Sequence, residues 1–352
     1  MNNLWLSIII ATFNSEKNLP VVLQSIARQT LKNSNYEVLV VDGGSTDDTL
    51  RLARKSGAKI IHNPKIEQNH AKLLGFQHAK GDYVIFLDSD EELENTSSFK
   101  NRLEVFSSHP NINMLVGSGY KSPDSYPAII DYINDYGDPF SLFMYHLPKR
   151  YEHFIVSLKK RFPVVIETDK YLIFDIKNVY KSSIFELTAG GSMFNRQYYL
   201  KTYPGINAKI NTLNHAFYQL ASLNPKLAVT INDPVVHYSS VSFKNYFNKL
   251  EWRVKNNIFF IDNLGQNVYI GRQIYQDRFL NIKKYLFIPY TFTLVLPIYE
   301  SIRLAISKKS PIYLIHLPLC VYVAVLIVMF MLMRCLSTKP SLRTYGSNVI
   351  IK

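Results

Sequence analysis

The chain has 352 residues, 47% of them apolar, enough to bury the core of one large α/β domain and leave an appendage. Its formal charge of +13 is unevenly spread: residues 1–240 hold 25 Lys and Arg against 23 Asp and Glu, whereas residues 241–352 hold 15 against 4. A nearly neutral first part argues against a nucleic-acid binder, and two cysteines, Cys320 and Cys335, are too few for a disulfide framework or a cysteine metal cluster.

Residues 4–119 alternate short β-branched runs with stretches of helical spacing, the pattern of a parallel sheet with crossover helices. The opening run LWLSIIIAT has no basic residue before it and no small-residue cleavage site behind it, so it is expected to be a first strand and not a signal peptide. Asn14 and Ser15 are expected to cap a helix carrying Leu19, Val22, Leu23 and Ile26, with Pro20 tolerated in its first turn. A second strand, YEVLVVD, runs into GGSTDD, where Ser45 and Asp48 have the spacing of a capping pair; that helix is expected to reach Lys55 and end at Gly57. AKIIHN then reads as a third strand, 69–80 as a helix closed by Gly81, DYVIFLD as a fourth strand and INMLVGSG as a fifth. Residues 120–185, rich in Tyr, Pro and Asp, break the rhythm. Beyond them ELTAGGSMFNRQYYL reads as a return to the sheet edge followed by a helix, and 227–237 as one further strand.

From 241 to 284, Phe, Tyr, Trp and Ile interleave with Lys and Arg, as in amphipathic helices lying at an interface. Two apolar runs follow. Residues 285–306 are long enough to cross a bilayer but carry Pro289, Pro297, Glu300 and Arg303; residues 312–333 have no formally charged residue. One or two transmembrane helices within 285–333 are expected, with 334–352 as a cytoplasmic tail. The flanking Lys283, Lys284, Arg334, Lys339 and Arg343 favour the cytoplasmic face, and Lys308 and Lys309 between the runs oppose a simple hairpin, leaving a re-entrant or interfacial first run as the other arrangement. The basic C-terminal part fits an anionic membrane surface, so the expected place is the cell membrane with the first domain on the cytoplasmic side.

Three strand ends carry polar groups suited to a ligand. Asp88, Ser89 and Asp90, followed by Glu91 and Glu92, put two carboxylates two residues apart, a donor set for a hard divalent ion that also holds phosphate oxygens. Asp42 stands before Gly43, Gly44, Ser45 and Asp47, where a glycine turn lets backbone approach a ligand. Thr12, Asn14 and Glu16 follow the first strand. Each group alone is also ordinary capping or turn chemistry. All three fall at the carboxyl ends of strands, where open α/β sheets bind ligands.

The stretches SIIIATFNSEKNL, EVLVVDGGSTDDT and AKGDYVIFLDSDEEL, in that order and spacing, resemble the family-two inverting glycosyltransferases of the GT-A fold; AGGSMFNRQYY and PVVHYSS extend the resemblance loosely to about residue 240. It implies a nucleotide-sugar-binding, Rossmann-like and mostly parallel sheet flanked by helices over 1–240, with a donor half at 1–119 and an acceptor half at 120–240. It further implies that Thr12, Asn14 and Glu16 sit by the nucleotide and that Asp42 contacts the base. Asp88 and Asp90, around Ser89, would form the DXD motif that holds Mn2+ or Mg2+ against the diphosphate, and Lys72 would be the basic residue near the nucleotide, with a solvated helix lysine as the alternative. A UDP- or GDP-sugar donor and a lipid-linked glycan acceptor are implied with it. The chain departs from the family where an acidic pair normally opens a helix: NTLNHAFYQL has Asn214 and His215 there. His215 is then the candidate base, with Asp233 and Glu186 as other carboxylates, and His237 a candidate metal ligand. The missing acidic pair also suits a second reading, a catalytically silent membrane protein that keeps the fold for binding or assembly. Tyr126, Tyr132 and Tyr136 are read either as stacking platforms for sugar rings or as packing.

Overall fold

The computed structural model describes residues 5–179, 187–204, 213–239, 242–259, 275–338 and 340. It divides into two compact units, one of Met1–Pro123, Arg150–Asn178 and Phe185–Tyr238, the other of Asp124–Lys149, Val179–Ile184 and Ser239–Lys352.

The first unit is built on β1 (Leu6–Thr12), β2 (Tyr36–Asp42), β3 (Lys59–His62), β4 (Tyr83–Asp88), β5 (Glu91–Leu93), β6 (Met114–Val116), β7 (Tyr120–Lys121), β8 (Val164–Glu167), β9 (Tyr171–Asp175), β10 (Ser192–Asn195), β11 (Lys226–Thr230) and β12 (Val235–His237). Its nine-stranded sheet has the order β3-β2-β1-β4-β10-β6-β11-β9-β8. The half made of β3, β2, β1 and β4 is parallel, as the alternating pattern requires, and every residue of β1 is buried. Such a strand, covered on both faces, reads as the near-continuous apolar run seen in the sequence. Helices α1 (Leu19–Ala27), α2 (Thr49–Lys55) and α3 (Gln68–His78) serve the crossovers, and α4 (Ser98–Ser108) follows β5. Gly75 lets α3 lie close on β1, because a Cβ there would stand 2.4 Å from Cγ2 of Ile9.

The rest of the sheet is mixed. The segment expected at the sheet edge is interior: β10 runs antiparallel between β4 and β6, so the fifth strand is not the neighbour of the fourth. The strand expected over 227–237 is two strands, broken at Asn232 with φ +53°; β11 pairs with β6 and β9, whereas β12 joins β5 and β7 in a separate three-stranded sheet. The caps also differ. Helix α1 begins at Leu19 without a side-chain cap, and Asn14, at φ +48°, turns to another loop. Ser45 bonds back to Asp42, so it forms no capping pair with Asp48.

The second unit contains α5 (Ile129–Tyr136) and α6 (Pro139–Tyr145), then, after α7 (Tyr151–Arg161), α8 (Arg196–Thr202) and α9 (Ala216–Leu223) of the first unit, α10 (Phe243–Phe259), α11 (Arg278–Lys283), α12 (Phe287–Phe292), α13 (Val295–Ser307) and α14 (His316–Cys335). Residues 124–149 thus group with the C-terminal helices and not with the remainder of 120–240. Their buried polar groups find partners there. Tyr132 bonds His316 at 2.8 Å, Tyr313 donates to Asp135, and Arg253 pairs with Asp138 at 2.9 Å. Tyr132 and Tyr136 are buried in this packing, which accounts for both without a sugar. Pro311–Cys335 is a helix long and apolar enough to cross a membrane.

Candidate functional site

The site is assembled by register. Thr12 pairs with Asp42 across β1 and β2, and Ala11 pairs with Asp88 across β1 and β4, so three strand ends finish level at one sheet edge. The loops beyond them are bonded to one another. Asn14 Oδ1 accepts from the Thr46 amide at 2.9 Å, Glu16 Oε2 accepts from the Asp48 amide at 3.0 Å, and the Glu16 amide donates to Asp47 Oδ2 at 3.1 Å. Ser15 and Ser89 hydroxyls share a hydrogen bond of 2.9 Å that joins the first loop to the acidic one.

Asp42 is buried and accepts from four donors: Thr12 Oγ1 at 3.0 Å, Ser45 Oγ at 2.5 Å, and the amides of Gly44 and Ser45 at 2.9 and 2.8 Å. That uses the lone-pair capacity of a carboxylate. In this state Asp42 fixes the glycine turn.

Asp88 Oδ1 is held by Lys72 Nζ at 2.7 Å and by Gln68 Nε2 at 2.8 Å. Lys72 is buried, so it is no solvated helix lysine. Asp90 Oδ2 lies 3.6 Å from His237 Nε2, brought there because β12 pairs antiparallel with β5. Glu92 turns to Arg28 at 2.6 Å and to the Tyr238 hydroxyl at 2.7 Å.

Glu91 points the other way and is 1% exposed. Its carboxylate accepts from the amides of Asp88 and Gly190 and from the Tyr120 hydroxyl, at 2.9, 3.0 and 3.2 Å. Burial first, then the charge of Asp88, pushes Glu91 up to about 8, while the N–H donors pull toward the anion. It ties the acidic loop to the Gly-Gly turn. Gly190 has φ +65°, and a Cβ there would stand 2.7 Å from the Tyr120 hydroxyl. The acidic run revealed Glu91 as a charge but not as this hub, because its role depends on a partner 99 residues away.

His215 is buried at the end of a 3-10 turn, Leu213–His215, that leads into α9. Asp233 is wholly buried against Arg102, Nε to Oδ2 2.7 Å, and also accepts from Thr230 Oγ1 at 2.6 Å; Arg102 donates further to the Gly191 carbonyl. It braces α4, the Gly-Gly turn and the β11–β12 turn, which removes it as a candidate base. Glu186 lies outside the described residues.

For a divalent cation the donor chemistry fits. Asp88 and Asp90 are partly exposed carboxylates on one loop and His237 is an imidazole at its rim, but among the described residues no three such side chains already form a cage. Phosphate oxygens of a ligand would have to complete the coordination.

A parallel half-sheet whose carboxyl edge carries an Asp-Ser-Asp loop has its polar groups where open α/β sheets take ligands. The chain belongs to glycosyl transferase family 2, whose model matches residues 7–200, more than half of its length. Among curated proteins it is 31% identical over 116 residues to a poly(ribitol-phosphate) beta-N-acetylglucosaminyltransferase, TarS, of Staphylococcus aureus, covering 31% of this chain and 20% of that protein. It is 33% identical over 117 residues to a PGL/p-HBAD biosynthesis glycosyltransferase of Mycobacterium bovis, covering 32% and 45% respectively. The chain therefore aligns with less than half the length of these relatives. Among solved structures, a mannosyltransferase from Pyrobaculum calidifontis in complex with GDP-Man and Mn2+ shares the fold, with TM-score 0.55, 15% identity, and coverage of 93% of this chain and 86% of that one.

Proposed function

We propose that the chain is a metal-assisted, inverting glycosyltransferase that moves a sugar from a nucleotide-sugar donor to a lipid-linked or membrane-proximal glycan. The observation that carries this reading is the level alignment of Thr12, Asp42 and Asp88 with Asp90 and His237 facing one another beside them. The nucleotide lies over the strand ends, with Thr12, Asn14, Glu16 and Ser89 lining it and Asp42 reached by the base in exchange for one of its present donors. Asp88, Asp90 and His237 would hold Mn2+ or Mg2+, which when bound would neutralise charge on the diphosphate. Lys72, already on Asp88, adds a buried positive charge against the same phosphates. The acceptor hydroxyl oxygen attacks the anomeric carbon, the bond from that carbon to the phosphate oxygen breaks, and the nucleoside diphosphate leaves with the electron pair. The hydroxyl proton passes to His215, the base we assign in place of the missing acidic pair. The relatives' names, among them a dolichyl phosphate-linked sugar transferase of Methanococcus voltae and undecaprenyl-phosphate arabinose-type transferases, support a lipid-linked acceptor. The apolar helix Pro311–Cys335 supports anchoring at the cell membrane, and Lys283 and Lys284 ahead of the apolar runs support a cytoplasmic catalytic unit.

The test is a thermal-shift panel of UDP- and GDP-sugars with and without Mn2+ on detergent-purified protein, followed by transfer assays on lipid-linked glycans. A metal-dependent shift for one nucleotide, lost in Asp88→Asn, with turnover lost in Asp90→Asn, is the expected result. Binding without turnover on any acceptor would favour the silent scaffold; no shift from folded protein would sink the donor site.

A further inference from the structure

Resting on the membrane reading above, we propose that the bent helical pair Arg278–Phe292 and Val295–Ser307 dips into one leaflet and returns to the same face, and that α14 makes a single crossing. The two limbs meet at 91°. Leu294 at the break has φ +57°, and Pro289 and Pro297 stand on either side. A limb of 13 residues is about 20 Å long, short of the roughly 30 Å hydrocarbon core, and a right-angled pair does not add its lengths across it.

The pair is inside out. On α13, Val295, Tyr299, Ile302 and Ile306 are exposed at helical spacing, 48% or more each, while Glu300 and Ser301 are buried at 8% and 3%. On α12, Phe292 is exposed and Thr291 is fully buried. A face of this kind suits hydrocarbon and not water. Glu300 is held by Arg303 at 2.5 and 2.9 Å and faces His146 at 3.5 Å, and Ser301 accepts from the Leu317 amide at 3.1 Å, so these two buried polar groups of α13 have partners within this unit. A charged pair of this kind is costly at the bilayer centre and cheap near the headgroups.

Arg278 opens the pair and Lys309 follows it, so both ends carry cations that anionic headgroups attract. A two-crossing hairpin would put Lys309 on the far side. A dip keeps Lys309 on the face of Lys284 but carries Arg334, Lys339 and Arg343 to the other, so 334–352 is then not the cytoplasmic tail expected from the sequence.

The test adds one cysteine at a time, Lys55→Cys, Lys309→Cys or Ser337→Cys, in a Cys335→Ser background that keeps only the buried Cys320 and is itself the unlabelled control, in sealed right-side-out and inside-out vesicles treated with a membrane-impermeant maleimide. Each variant is first checked for an unchanged melting temperature. Labelling of positions 55 and 309 from one face and 337 from the other is expected. Labelling of 309 from the face opposite 55, with 337 back on the face of 55, would overturn the dip and leave the anchor intact. Release of the whole chain from vesicles by alkaline carbonate would instead overturn the membrane reading itself.

Discussion

Changing Asp233 to Asn removes one charge from an ion pair whose two side chains are both fully buried, with Arg102 Nε 2.7 Å from Asp233 Oδ2. The guanidinium is left without its counter-charge in a site that excludes water, and such a loss costs about 3–5 kcal/mol. In a unit of this size each kcal/mol moves the midpoint by roughly 2–4 °C, so a fall of about 6–20 °C is expected. Thermal unfolding of the detergent-purified protein reads it directly, and Arg102→Met with Asp233→Leu should recover most of the loss because neither charge remains buried. Transfer measured well below the midpoint should persist in the Asn variant. An unchanged midpoint with transfer abolished would refute the reasoning and return Asp233 to the catalytic role that its sequence position first allowed.

Lys72→Met should tighten Mn2+ binding in the absence of nucleotide, since ammonium and metal compete for Asp88 Oδ1, while weakening the donor; calorimetry with Mn2+ alone and then with the sugar nucleotide separates the two effects. Glu91→Gln resembles the protonated carboxyl that a value of about 8 implies at neutral pH, so its unfolding midpoint at pH 7 should lie near the parent's; a fall as large as that of Asp233→Asn would count against it. Gly190→Ala should destabilise by about 1–3 kcal/mol, because the left-handed backbone and the Tyr120 hydroxyl both oppose a Cβ; a chemical denaturation midpoint equal to that of the parent would count against it. Removing divalent ions with EDTA should lower turnover by at least ~100-fold, equivalent to about 2.7 kcal/mol of barrier, and Mn2+ should restore it.

Much of this sheet edge was legible. Short apolar runs ending in Thr12, Asp42 and Asp88 report strands buried on both faces, and a parallel sheet with right-handed crossovers then has to bring their carboxyl ends together. What those carboxylates do was not legible, because it depends on neighbours distant in sequence. Asp42 became a turn clamp through Thr12 and Ser45, Lys72 was driven into the interior by Asp88, and Glu91 acquired its role from Gly190. The same holds for Asp233, whose place beside His237 in the chain says nothing of Arg102.

By itself, the sequence determined the short apolar runs and helical spacings of residues 5–116, the polar strand ends and the apolar C-terminal helix, since each is written within one element and needs only local burial to appear. Only the tertiary structure decided that β10 would enter between β4 and β6, that 227–237 would break into two sheets, and that 124–149 would pack with the C-terminal helices. Strand order and the pairing of buried charges are set by which distant surfaces close most water-free contacts at once, and no window of the chain contains both sides of that choice.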